Sequence, residues 1–111
     1  MTNLSQGQCT NDPKLAPRLD AEACEKLIAE LSSGWDLNLA DQILRRRFEF
    51  KNYHQTLAFT NAVAWIAHQQ DHHPDMTISY RHCLVCFTTH SVGGLSINDF
   101  ICAARIDALQ S

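Results

Sequence analysis

The sequence predicts an α+β fold: a four-stranded antiparallel sheet with three helices packed on one face, in the order α-β-β-α-β-β-α. Three observations predict it. Apolar residues recur at three- and four-residue spacing in three separate stretches, each opened by a residue able to cap a helix: Asp20, Asn52 or Ser96. Between those stretches lie two pairs of short runs that read as strands, most clearly the period-two alternation from Ile43 to Phe50. A polar turn separates the first two strands, and a Gly-Gly loop joins the last strand to the last helix.

The first helix is expected from Asp20 to Ser33, with Glu22 in its first turn and Gly34 as a C′ residue tolerant of positive φ. Leu27, Ile28 and Leu31 form its apolar stripe. Trp35 to Leu37 is extended, and the next strand runs from Ile43 to Phe50. There Leu44, Phe48 and Phe50 share one face while Arg45, Arg47 and Glu49 take the other. Alternation therefore splits the Arg45-Arg46-Arg47 run across both faces, which suits a solvated sheet surface better than a phosphate site. Asn52 caps a second helix, with Gln55 at N3 and core positions at Phe59, Ala62, Val63, Ile66 and Ala67. Pro74 forces it to stop near Asp71 or His72. Strands from Met76 to Tyr80 and His82 to Thr89 follow, then the loop holding Gly93 and Gly94. The last helix, Phe100 to Leu109, is preceded by Ser96 as N-cap and Asp99 as an acidic N3.

The bulk numbers suit one domain. A chain of 111 residues buries roughly 65% of the surface its unfolded form exposes. Residues 1–18 are polar and read as a disordered N-terminal tail, leaving 19–111 as the folded domain. A formal charge of −3 offers no field for a nucleic-acid backbone. No apolar run approaches the ~18 residues of a membrane span. The N-terminus lacks the charged start and apolar stretch of a secretory signal. With five scattered cysteines, reduced thiols in a cytoplasmic protein are the simple reading. Cys83 and Cys86 form a CxxC, but on a strand residues three apart face opposite ways and cannot chelate one ion.

Five of the six histidines fall between His68 and His90. His68 and His72 share a helix face. His73 is held extended by Pro74, and His90 ends a strand that an antiparallel sheet could bring beside the helix exit. Spacing alone leaves three readings open. Converging imidazoles, with an ordinary pKa of ~6.5, can act as general acid and base near neutrality. His68, His72 and His90 could instead ligate zinc, although the glutamate of an HExxH motif is missing. The third reading is incidental surface histidines.

The residues decide further. His68-x3-His72-His73-Pro74, Tyr80 six after the proline, His90 ten beyond it and Asp99 nine beyond that resemble the signature of the pterin-4a-carbinolamine dehydratases. Gly34-Trp35, Phe48-Glu49-Phe50-Lys51-Asn52-Tyr53, Thr89-His90 and Gly93-Gly94-Leu95-Ser96 also fall at the family's spacing, so the resemblance covers about Leu27 to Leu109. It implies dehydration of 4a-hydroxytetrahydropterin to quinonoid dihydropterin, without metal or organic cofactor, recycling the pterin that aromatic amino-acid hydroxylases consume. It also implies a homodimer or homotetramer. By motif, His72 and His90 would be the acid/base pair and His73 would bind the pterin, with Asp71, Thr88, Thr89 and Trp35 lining the pocket. The family's usual aromatic at position 76 is here Met76, its frequent Asn is Arg81, and the acid that follows its histidine is Ser91. The competing reading within this fold is a non-catalytic dimerisation, assembly or coactivator protein. Assembly-type relatives tend to lose the histidines that this chain keeps.

Overall fold

The structure, a computed structural model, describes residues 3–110; Met1 and Thr2 of the expected tail and Ser111 of the expected domain lie outside them. Helices α1 (Ala21–Ile28), α2 (Tyr53–Gln70) and α3 (Ile97–Ala108) and strands β1 (Asp36–Asn38), β2 (Ile43–Glu49), β3 (Asp75–Ile78) and β4 (His82–Phe87) follow the expected order. The strands form one antiparallel sheet, ordered β1-β2-β4-β3.

Alternation sets its two faces. Leu44 and Phe48 of β2 and Cys83, Val85 and Phe87 of β4 are buried, in a cluster with Cys24 of α1, Phe59, Val63 and Ile66 of α2, and Phe100 and Ile106 of α3. Phe48 lies 4.4 Å from Phe59, ring centre to ring centre. Arg45, Arg47 and Glu49 face out and are exposed, as their parity requires. Arg46 takes the helix side. It pairs with Asp107 of α3 at 2.8 Å and lies 4.3 Å over the Phe48 ring, so its charge is used structurally. Cys83 is buried and Cys86 half-buried, on opposite faces.

The caps hold where the side chains were read. Asp20 accepts from Ala23 N, Asn52 from Gln55 N, and Ser96 with Asp99 closes a full capping box that starts α3 at Ile97, one turn before Phe100. Gln55 reaches one residue further back than its box position predicts, accepting from Lys51 N at 3.2 Å. The larger departure is α1, which ends five residues early. Tertiary contact overrides its sequence pattern: Ser32 N donates to Asp107 Oδ2 at 3.0 Å, pulling the chain out of the helix. Gly34 is therefore no helix terminator. A Cβ there would lie 2.6 Å from Arg46 Nε, so glycine is needed for close approach rather than for a turn.

Residues 3–18, read from the sequence as a tail, make specific contacts with the helices. A 3₁₀ turn at Leu4–Gln6 buries Leu4 against α3, and Arg105 donates to Gly7 O. Cys9 N donates to Gln70 Oε1 at 2.8 Å. Thr10 and Asn98 bond reciprocally at 3.1 and 2.8 Å. The polar composition that suggested disorder is what these buried amides bind, and local pattern carries no trace of partners about 90 residues away. No helix among the described residues is long and apolar enough to cross a membrane.

If the N-terminal segment is part of the core, Leu4→Ala should lower unfolding free energy by about 2 kcal/mol in urea denaturation. A tail free in solution would leave the midpoint unchanged.

Candidate active site at the exit of helix α2

The site begins with how α2 stops. Asp71 adopts the left-handed region at φ 50°, ψ 43° and closes a double turn: its N–H reaches His68 O and the His72 N–H reaches Ala67 O. This is the Schellman arrangement, usually built on glycine; an aspartate tolerates it at a modest cost. Pro74 was expected to set the stop, and this turn at Asp71 makes it. Its effect is to separate three consecutive side chains: Asp71 and His73 stay exposed while His72 is buried.

His72 lies parallel to the Phe87 ring, 5.8 Å between centres and 7° between planes. Its Nε2 is 2.6 Å from Asp99 Oδ1. Asp99 has no exposed surface, and its other oxygen accepts from Thr89 Oγ1 at 2.8 Å and Ser96 N at 2.9 Å. Burial pushes the His72 pKa down, but the hydrogen bond and charge of Asp99 outweigh it and leave the net shift upward. Nε2 thus carries the proton shared with the carboxylate, and Nδ1 is the nitrogen left for a pocket partner.

His90 arrives from the opposite side. After β4 the chain makes an isolated bridge between Thr89 and Gly94 and a single 3₁₀ turn, His90–Val92, closed by Gly93 at φ 67°. A Cβ on Gly94 would sit 2.6 Å from Gln42 Oε1, the atom that accepts from Leu95 N. Gly93 thus answers a left-handed backbone, and a side chain at Gly94 would have to displace Gln42 and Arg18. His73, His90 and His72 line one cavity of about 240 Å³ with Asp71, Thr88, Thr89, Ser91 and Asn98, just under the usual range of about 300–1,000 Å³ for small-molecule clefts.

Six of the seven side chains read from the sequence as site residues thus surround one opening. Trp35 is the exception. It is buried among Phe48 and Phe87 and donates from Nε1 to Asp107 Oδ1 at 2.8 Å, on the core side of the sheet and away from the cavity. A tryptophan with a buried partner for its N–H is core. His68 also stands apart, exposed on the outer face of α2 beside Trp65, so the His68–His72–His90 set is not assembled. Two contributions went unread. Asp99 was read as a capping residue and as part of the family signature nine after His90, but its bond to His72 was not. Thr10, Asn11, Pro13 and Ala16 line the cavity from the segment taken for a tail, and Asn11 Nδ2 donates to Asp71 Oδ2 at 2.7 Å.

A sheet backed by three helices, with histidines converging on one cavity, makes a candidate small-molecule site on an α+β scaffold. Residues 17–109 match the sequence model of the pterin 4 alpha carbinolamine dehydratase family, and the chain belongs to it. A provisionally named pterin-4-alpha-carbinolamine dehydratase of Nitrosomonas eutropha is 52% identical, covering 98% of this chain and 97% of its own length. One from Legionella pneumophila is 42% identical over 97% of this chain and 96% of its own. Among solved structures, a Brucella melitensis transcriptional coactivator/pterin dehydratase superposes with a TM-score of 0.79 at 26% identity, over 85% of this chain and 99% of its own. A pterin dehydratase-like RuBisCO assembly factor of the alpha-carboxysome gives 0.60, also at 26% identity, over 70% of this chain and 90% of its own.

The His72–Asp99 pair is testable without substrate. NMR titration should place the His72 midpoint above the ordinary ~6.5, and Asp99→Asn should lower it, because burial then loses its main opponent. A raised folded pKa also means that protonated His72 stabilises the fold fully below about pH 6.5, a contribution lost as pH rises through the raised value. Unchanged midpoints in Asp99→Asn would show that the carboxylate does not govern the ring.

Proposed function

We propose that this chain dehydrates a 4a-hydroxytetrahydropterin to the quinonoid dihydropterin and water, by general acid/base catalysis. The observation that carries the reading is the convergence of His72, His73 and His90 on one cavity, with one ring held by a buried carboxylate. The C4a–O bond breaks, the N5 lone pair forms the N5=C4a double bond, and N5 gives up its proton. One group must protonate the departing hydroxyl and another must take the N5 proton. His72, whose pKa Asp99 raises against burial, suits the acid, donating from Nδ1. His90, solvent-exposed at the cavity rim, suits the base, able to pass its proton to water. His73, Asp71 and the Thr88-Thr89 stretch bind and orient the heterocycle. Ser91 stands where the family places an acid, so His90 works here without a neighbouring carboxylate in sequence.

The reaction recycles the cofactor of an aromatic amino-acid hydroxylase, and the active species is proposed to be a homodimer or homotetramer. The coactivator and assembly descriptions of the two structural neighbours supply the second reading, a binding protein on the same fold.

Stopped-flow turnover of the 4a-carbinolamine separates them. His72→Ala and His90→Ala should each lose about 10²–10⁴ in kcat, and His73→Ala should act mainly on KM. Since the acid must be protonated, kcat should fall as pH rises through the raised His72 pKa, and Asp99→Asn should move that limb to lower pH. A His72→Ala protein as fast as wild type would remove the mechanism, and a wild type without turnover would leave the binding reading.

A further inference from the structure

Beside the cavity, where the N-terminal segment crosses α3, two thiols meet. Cys9 Sγ lies 3.6 Å from Cys102 Sγ, van der Waals contact that must shorten by about 1.5 Å to reach disulfide length. Cys102 is fixed and fully buried in α3. Cys9 is half-buried and sits on irregular backbone, so it can close that gap without breaking a helix or a strand ladder. Flanking contacts hold it in register: Gln70 accepts from its N–H, and Asn98 pairs with Thr10 next to it.

We propose that Cys9 and Cys102 form a peroxide-oxidisable pair whose disulfide latches the N-terminal segment onto α3. The asymmetry of the two sulfurs suits this chemistry. The hydrogen bond with Cys102 lowers the Cys9 pKa; burial opposes it and the nearby His72 charge assists. Cys102 is pushed up, first by that same hydrogen bond with Cys9 and then by burial, and so keeps its proton. Cys86, the other half-buried thiol, is raised by burial and is the poorer nucleophile.

The steps balance. Cys9 thiolate attacks one oxygen of hydrogen peroxide, the O–O bond breaks, hydroxide leaves, and Cys9 becomes a sulfenic acid. The negative charge that held the Cys102 proton is then gone. Cys102 sulfur attacks Cys9 sulfur, the S–O bond breaks, and the thiol proton leaves with the hydroxyl as water. Two thiols lose two electrons; one peroxide becomes two waters once the hydroxide is protonated. Thr10, Asn11 and Pro13, the residues that follow Cys9, line the histidine cavity, so the latch stiffens one of its walls. The chemistry does not depend on the proposed reaction.

The test treats the full chain with stoichiometric hydrogen peroxide and maps peptides by non-reducing mass spectrometry. Free thiols should fall from five to three, with a Cys9–Cys102 linked peptide inside one chain that dithiothreitol reverses. Hydrogen exchange over residues 3–19 should slow on oxidation, and Cys9→Ser should leave Cys102 a thiol at the same dose. The proposal fails if Cys9 proceeds to sulfinic acid with Cys102 untouched, if Cys86 oxidises first, if the crosslink joins two chains, or if exchange of the segment is unchanged.

Discussion

A carboxylate with no exposed surface must be solvated by the protein around it, and Asp99 is solvated by three separate pieces of chain. Ser96 N belongs to the cap of its own helix, Thr89 Oγ1 to the segment leaving β4, and His72 Nε2 to the turn that ends α2. Ser96 Oγ also meets Thr89 Oγ1 at 2.8 Å, so the network closes on itself. No buried side-chain polar atom among the described residues is left without a partner. Removing one member of such a set strands the others, which costs more than one hydrogen bond. The helix start, the strand end and the catalytic candidate therefore stand or fall together.

That network explains why parts of the fold were readable and others were not. Ser96 with Asp99, Asn52 and Asp20 announce helix starts because a cap is a short-range bargain between a side chain and backbone within a few residues. Strand faces are legible for a similar reason, since parity is a local property: Leu44 and Phe48 go in while Arg45 and Arg47 go out. The end of α1 was misplaced because Asp107, more than seventy residues away, takes Ser32 N, Trp35 Nε1 and the Arg46 guanidinium. Trp35 was assigned to the pocket by family spacing, and the same aspartate shows why it belongs to the core. Asn11 and Thr10 were invisible as pocket residues, because nothing local tells a polar segment that Asp71 and Asn98 await it.

Family membership is firm, yet it does not by itself separate enzyme from assembly factor, since the fold serves both descriptions among the structural neighbours. What distinguishes them is chemistry at one end of the sheet. Here a buried carboxylate both joins three pieces of chain and orients one imidazole, an arrangement that suits the enzyme reading proposed above. The left-handed Asp71 supports the same view. A non-glycine residue in that region stores a little strain, and its return here is that His72 and His73 diverge at once, one into the network and one toward solvent.

The placement of the rings also bears on how one cavity could serve two proton transfers. Imidazoles in identical surroundings would titrate together and compete for the same role; rings in different surroundings can hold different protonation states at one pH. His72 is stacked on Phe87 and tied to a carboxylate that no water reaches. His90 stands on a 3₁₀ turn at the surface, where its proton can exchange directly with solvent. The fold creates this difference by delivering one ring from a helix end into the core and the other from a strand end onto a turn that two glycines close. In the proposed mechanism the acid gains from a fixed counter-ion and the base from contact with water. The asymmetry of the cavity follows from the asymmetry of the two elements that build it.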